Sequence, residues 1–108
     1  MAEFQTVAKT SEVVPGEMKL VEVGGEEVVI ANVGGDYFAF SNECTHEGGP
    51  LADGELEGHV VTCPWHFTPF NVMTGEALEG GVTDDPVATY EVRLEARLEG
   101  ADIQVRKA

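Results

Sequence analysis

Basic residues are scarce in this chain: six lysines and arginines stand against twenty aspartates and glutamates in 108 residues, a formal net charge of −14. Like charges repel, so a phosphate backbone is a disfavoured partner and no nucleic-acid role is expected. Long apolar runs are missing as well; nothing approaches the about 18 residues at which a membrane span becomes plausible, which excludes a helical membrane partner or anchor. Met1–Thr6 has neither the basic stretch nor the apolar run of a secretory signal, so a cytoplasmic address is expected. There are two cysteines, which rules out a disulfide scaffold and suits a reducing compartment. A sustained 3.6-residue periodicity is absent too, and with it a helical bundle.

The chain has short apolar runs punctuated by thirteen glycines and five prolines, a pattern of brief strands joined by tight turns. Gly24-Gly25 separates Met18–Val23 from Glu26–Ala31, and Gly34-Gly35 separates that run from Asp36–Phe40. Paired glycines accept the positive φ angles of a two-residue hairpin, so a three-stranded meander is expected, its middle strand apolar on both faces. Ala88, Tyr90, Val92, Leu94, Ala96 and Leu98 alternate with polar residues, the period of a strand with one wet face. After a turn at Glu99-Gly100, Ile103 and Val105 alternate in a closing strand. The reading is one all-β domain over 1–108, too short to hold a catalytic domain beside a metal site and therefore a carrier or module rather than an enzyme.

Both cysteines and two of the three histidines fall in two short clips, Cys44-Thr45-His46 and, after sixteen residues, Cys63-Pro64-Trp65-His66. Each clip follows a β-like run, Tyr37–Phe40 and His59–Thr62, and so lies in a loop at a strand end. Thiolate and imidazole at this density indicate a metal site, with Cys44, His46, Cys63 and His66 as ligands. A single tetrahedral zinc is one solution. Zinc modules, however, usually pair cysteine with cysteine and histidine with histidine, whereas each clip here is mixed. Gly48-Gly49-Pro50-Leu51 after the first clip can wrap backbone closely around a ligand.

Residues 41–78, with Cys-x-His, Cys-x-x-His, Gly48-Gly49-Pro50-Leu51, His66-Phe67-Thr68-Pro69-Phe70-Asn71 and Thr74-Gly75-Glu76, resemble the Rieske-type ferredoxins, in particular the ferredoxin components of bacterial aromatic-ring oxygenase systems. The resemblance implies an antiparallel β sandwich or incomplete barrel with two cluster-binding loops, about 41–54 and 62–76, at one end. It implies a [2Fe–2S] cluster with Cys44 and Cys63 on one iron and His46 and His66 on the other. It also implies a one-electron carrier between a flavin-dependent reductase and a terminal oxygenase. An interaction module like the small subunit of nitrite reductase is the alternative within the fold; those subunits often lack ligands, and all four are present here.

Neutral imidazoles in place of two thiolates place such centres at roughly −150 to +300 mV, against about −400 mV for four-cysteine clusters. High-potential relatives have an extra disulfide and a tyrosine hydroxyl near a cysteine sulfur. This chain has no further cysteines and Phe70 at the tyrosine position, which predicts the low end of the range, with Thr68 able to keep one hydroxyl contact. Phe67 stands where glycine is often found and is expected to shield one side of the cluster; Trp65 is expected to pack beside it and exclude water. His59 reads as a structural or surface residue, Glu43 and Glu47 as solvated loop charges able to define a docking rim, and Pro86 as part of a third loop over the cluster.

Overall fold

The structure is a computed structural model and describes residues 3–45, 49–65, 67–79, 85–97 and 100–107. Nine strands are described: β1 Gln5–Lys9, β2 Met18–Val23, β3 Glu26–Val33, β4 Asp36–Ser41, β5 Glu55–Glu57, β6 Val60–Thr62, β7 Pro69–Asn71, β8 Thr89–Arg97 and β9 Gly100–Lys107. All pairings are antiparallel. One sheet has the order β1-β9-β8-β4-β3-β2 and curls until β1 approaches β2, nearly closing a barrel; a smaller sheet has the order β5-β6-β7. Among the described residues no helix is long and apolar enough to cross a membrane.

The expected meander is present. Gly24 and Gly25 have φ of +59° and +86°, and Gly34 and Gly35 +62° and +101°, values that match the right-handed twist of the strands they join. β3 is apolar on both faces because it is a wall between two cores. Val28 and Ile30 face the barrel interior with Ala8, Val13, Ala39, Ile103 and Val105, while Val29 and Ala31 face the small sheet with Phe40, Leu51, Val61 and Phe70. β4 divides the same way, Ala39 to one core and Phe40 to the other. Asn32, buried on β3, donates to the Val13 carbonyl at 2.8 Å and accepts from Gly35 N at 2.8 Å, so the turn and the N-terminal segment are tied together without an unpaired group.

Two features differ from the strand pattern. The face of β8 read as dry is only partly so: Tyr90 is buried but Leu94 is 50% exposed. β4 pairs with β8 at Ala39–Tyr90 and Phe40–Thr89, and among the described residues β4 does not extend its pairing as far as Leu94. β9 shows the converse, because it lies between β1 and β8 and buries Gln104. The Gln104 amide donates to Thr6 Oγ1 at 3.1 Å and its oxygen accepts from Arg93 Nε at 2.6 Å, which satisfies a buried polar group at the β1–β9–β8 contact. β1 itself, mostly polar and short, has no legible signal in the sequence.

Candidate metal centre

The small sheet and the β3–β4 wall hold between them the core that contains both cysteines. Cys44 lies just beyond β4 and Cys63 just beyond β6; they are 3% and 1% exposed, and neither is in a disulfide. The first loop is closed at its base by an Asn42–Leu51 main-chain bond of 2.8 Å and a Glu43–Pro50 bridge, and within it Cys44 N donates to Gly49 O at 2.9 Å. Asn42, also buried, accepts from Ala52 N at 2.8 Å and donates to Glu27 at 3.3 Å, anchoring this base to β3. The second loop closes on itself, Cys63 N to Thr68 O at 2.9 Å and Phe67 N to Cys63 O at 3.1 Å. β7 then begins at Pro69, inside the stretch 62–76 read as loop.

The loops meet sulfur against glycine. A Cβ on Gly49 would lie 2.7 Å from Cys63 Sγ and 3.1 Å from Trp65 Cγ, so no side chain fits at this position without displacing the thiol. Cys63 Sγ accepts from Trp65 N at 3.4 Å. Burial pushes the Cys63 thiol up from its ordinary range; the Trp65 N–H pulls it back, and the neighbouring Cys44 raises it again through a hydrogen bond and charge. A buried Cys63 thiol that resists ionising, with a second buried cysteine beside it, needs a cation to become a thiolate, and a ferric pair would supply one. The sulfur half of the donor set therefore fits an iron–sulfur cluster. His46 and His66 lie outside the described residues, as does Glu47.

A third segment reaches the same place. Thr45 Oγ1 donates to the Asp85 carbonyl at 2.7 Å, Val87 is buried in the core with both cysteines, and Val87 N donates to Gly75 O at 2.8 Å. Pro86 thus sits on a strap held against the first cysteine loop. The two aromatic residues of the second loop depart from expectation. Trp65 leans on Gly49 yet is 49% exposed, and Phe67 is 72% exposed and covers little. Phe67 also adopts φ of +60°, the one left-handed non-glycine among the described residues, a conformation costing about 1–2 kcal/mol for a residue with Cβ. That geometry accounts for the glycine common at this position. His59 is exposed, its ring edge on Phe38 at 6.0 Å and its carbonyl accepting from Val72 N, a surface role as read. Thr68 and Phe70 are fully buried. The Thr45–Asp85 strap was the site contact least visible in the sequence; only the Asp-Pro pair hinted at it.

A nearly closed antiparallel barrel bearing two cysteine loops at one end defines a metal-binding electron-transfer module. The Rieske [2Fe-2S] domain model matches residues 3–91, and the chain belongs to that family. It is 38% identical over 91 residues to the biphenyl 2,3-dioxygenase ferredoxin component of Rhodococcus jostii (strain RHA1), covering 82% of each chain. To the naphthalene 1,2-dioxygenase system ferredoxin component of Pseudomonas putida it is 39% identical over 85 residues, covering 79% of this chain and 81% of that one. It superposes with a TM-score of 0.85 and 30% identity on a chain in the complex of reduced oxygenase and oxidised ferredoxin of carbazole 1,9a-dioxygenase, covering 97% of this chain and 95% of the other. The protein is a Rieske-type ferredoxin, an electron carrier with a [2Fe–2S] cluster rather than a catalytic subunit.

Proposed function

We propose that this ferredoxin passes single electrons from a flavin-dependent reductase to the terminal oxygenase of an aromatic-ring dioxygenase system in the cytoplasm, as one Rieske domain spanning 1–108 with cluster loops at about 41–54 and 62–76. Cys44 and Cys63 hold one iron and His46 and His66 the other. The cluster, when bound, supplies a reversible one-electron couple. The observation that carries the reading is the convergence of the two buried cysteines in one core, with Gly49 closed over Cys63, in a chain whose relatives are ferredoxin components of dioxygenase systems.

The remaining residues shape that couple. Buried Phe70 and Val61 exclude water from the sulfur side, and the Trp65 N–H donates to Cys63. Phe70 has no hydroxyl to add a further donor, which favours a potential at the low end of the Rieske range. A structural zinc site usually pairs like ligands within a loop, whereas each clip here joins one cysteine to one histidine, and an interaction module has no need of two buried, convergent thiols.

The test is spectroscopic and kinetic. Purified protein is expected to be red-brown, to bleach on reduction, and to give the rhombic electron paramagnetic resonance signal of a mixed-ligand cluster. It is also expected to support substrate oxidation when it replaces the ferredoxin in a reconstituted naphthalene dioxygenase system. Colourless protein carrying one zinc sinks the reading; a coloured protein that no reductase reduces sinks the partner assignment alone.

A further inference from the structure

All six basic residues, Lys9, Lys19, Arg93, Arg97, Arg106 and Lys107, lie near the two ends of the sequence, so residues 20–92 contain fourteen acidic residues and no lysine or arginine. The folded barrel occupies some of these cations internally. The Arg93 and Arg106 guanidiniums stack on the Phe4 ring at 4.2 and 4.5 Å, and Arg106 pairs with Glu91. The part of the chain that bears the metal loops is therefore a field of one sign.

Within that field is a cleft of about 220 Å³ beside the second cysteine loop. Exposed Phe67, Asp53 and Glu55 rim it and the less exposed Thr62, Cys63 and Pro64 form its wall; among the described residues no lysine or arginine lines it. Phe67 occupies a left-handed backbone position and leaves 72% of its surface in solvent, so it neither suits the local backbone nor fills the core. An aromatic ring and two carboxylates lining one cleft are the groups that hold a guanidinium or ammonium: the ring attracts the cation electrostatically, and the carboxylates accept its N–H groups.

We propose that the Phe67 ring and the Asp53–Glu55 rim form a receptor for a cationic side chain on the docking surface of a basic redox partner. The proposal rests on the electron-carrier reading above. Charge decides the occupant: the net −14 of the chain arises in the segment around the cleft and steers a basic surface towards it. The cleft wall includes Cys63, so a partner seated there is brought close to the sulfur side of the centre. Strain tolerated at an exposed position for the sake of a contact is the usual pattern at functional sites.

The test uses the reduced holoprotein with two acceptors: cytochrome c, a basic protein with lysines around its exposed haem edge, and ferricyanide, a small anion. Phe67→Gly and the double variant Asp53→Asn/Glu55→Gln are each expected to lower the second-order rate with cytochrome c about tenfold at low ionic strength and to flatten its salt dependence. Ferricyanide rates are expected to stay within twofold for Phe67→Gly, and Phe67→Tyr to retain the wild-type rate with cytochrome c. Phe67→Gly is also expected to raise the thermal midpoint by several degrees, which a packing role for the ring would reverse. Cytochrome c rates within twofold of wild type in both variants, equal losses with both acceptors, or a lowered midpoint in Phe67→Gly overturn the proposal. Wild-type protein that reduces neither acceptor overturns the electron-carrier reading, and this one with it.

Discussion

Replacing Gly49 with alanine adds one methyl group directly against the Cys63 sulfur. The new Cβ would stand 2.7 Å from Cys63 Sγ, 3.1 Å from Trp65 Cγ and 3.2 Å from Trp65 Cβ, where ordinary contacts begin at 3.4 Å. The thiol cannot retreat easily, because Cys63 is 1% exposed and packed with Val61 and Phe70 behind it. Overpacking of this kind costs about 1–3 kcal/mol, which for a domain of this size corresponds to a fall in thermal midpoint of about 4–20 °C. Trp65 is half exposed and can swing outward, so the sulfur contact sets the cost.

The larger consequence is for iron, since a displaced Cys63 no longer points where Cys44 does. Gly49→Ala is expected to purify with less than half the wild-type iron and sulfide per chain. Gly58→Ala is the control: its Cβ meets nothing within 4 Å, although Gly58 has φ of +57°. It is expected to lose about 1–2 kcal/mol from backbone strain alone and to keep its iron. The assay is metal and sulfide analysis with visible absorbance, paired with a thermal melt. Gly49→Ala protein with full iron content and an unchanged midpoint would refute the close-approach argument.

Other outcomes test separate parts of the structure. Cys63→Ser and His66→Ala are each expected to abolish the visible chromophore and His59→Ala to leave it unchanged; absorbance per protein decides, and loss of colour in His59→Ala alone would overturn the ligand assignment. Thr45→Val removes the donor to the Asp85 carbonyl, at a cost of about 1 kcal/mol; faster loss of iron to a chelator should accompany it, and an unchanged rate would show that the strap does not hold the site. Tyr90, buried and donating to Glu26 at 2.6 Å, is pushed up to about 12 first by burial and then by that carboxylate. Because the neutral phenol is favoured in the folded state, its contribution is intact below about pH 10, the unfolded value, and is lost as pH rises from there towards the folded value. Alkaline titration of phenolate absorbance should show Glu26→Gln titrating lower than wild type, and stability above pH 10 should be less pH-dependent in Tyr90→Phe. Voltammetry should place the potential in the lower part of the Rieske range; a value near its upper end would refute the argument from missing sulfur donors.

Much of the fold was legible because its signals are local. The paired glycines at 24–25 and 34–35 needed only φ freedom to make hairpins, and the alternation in 88–98 and 103–105 needed only the two-residue period of a strand. β1 was not legible: Gln5–Lys9 is short and polar, and it becomes a strand by pairing with β9. Trp65 read as a buried packing residue on its size, and its half exposure follows from a loop that turns it over Gly49 towards solvent.

The composition and the two mixed clips determined by themselves that the chain is an acidic β protein with two matched cysteine–histidine pairs, because residue identity and spacing within a loop need no distant partner. Tertiary structure alone decided that Cys44 and Cys63 share one core, that Gly49 closes over the sulfur, that Leu94 is left uncovered and that Phe67 stands out beside two carboxylates. Each of these depends on which strands become neighbours, and strand pairing is a contact between residues far apart in sequence that no local pattern specifies.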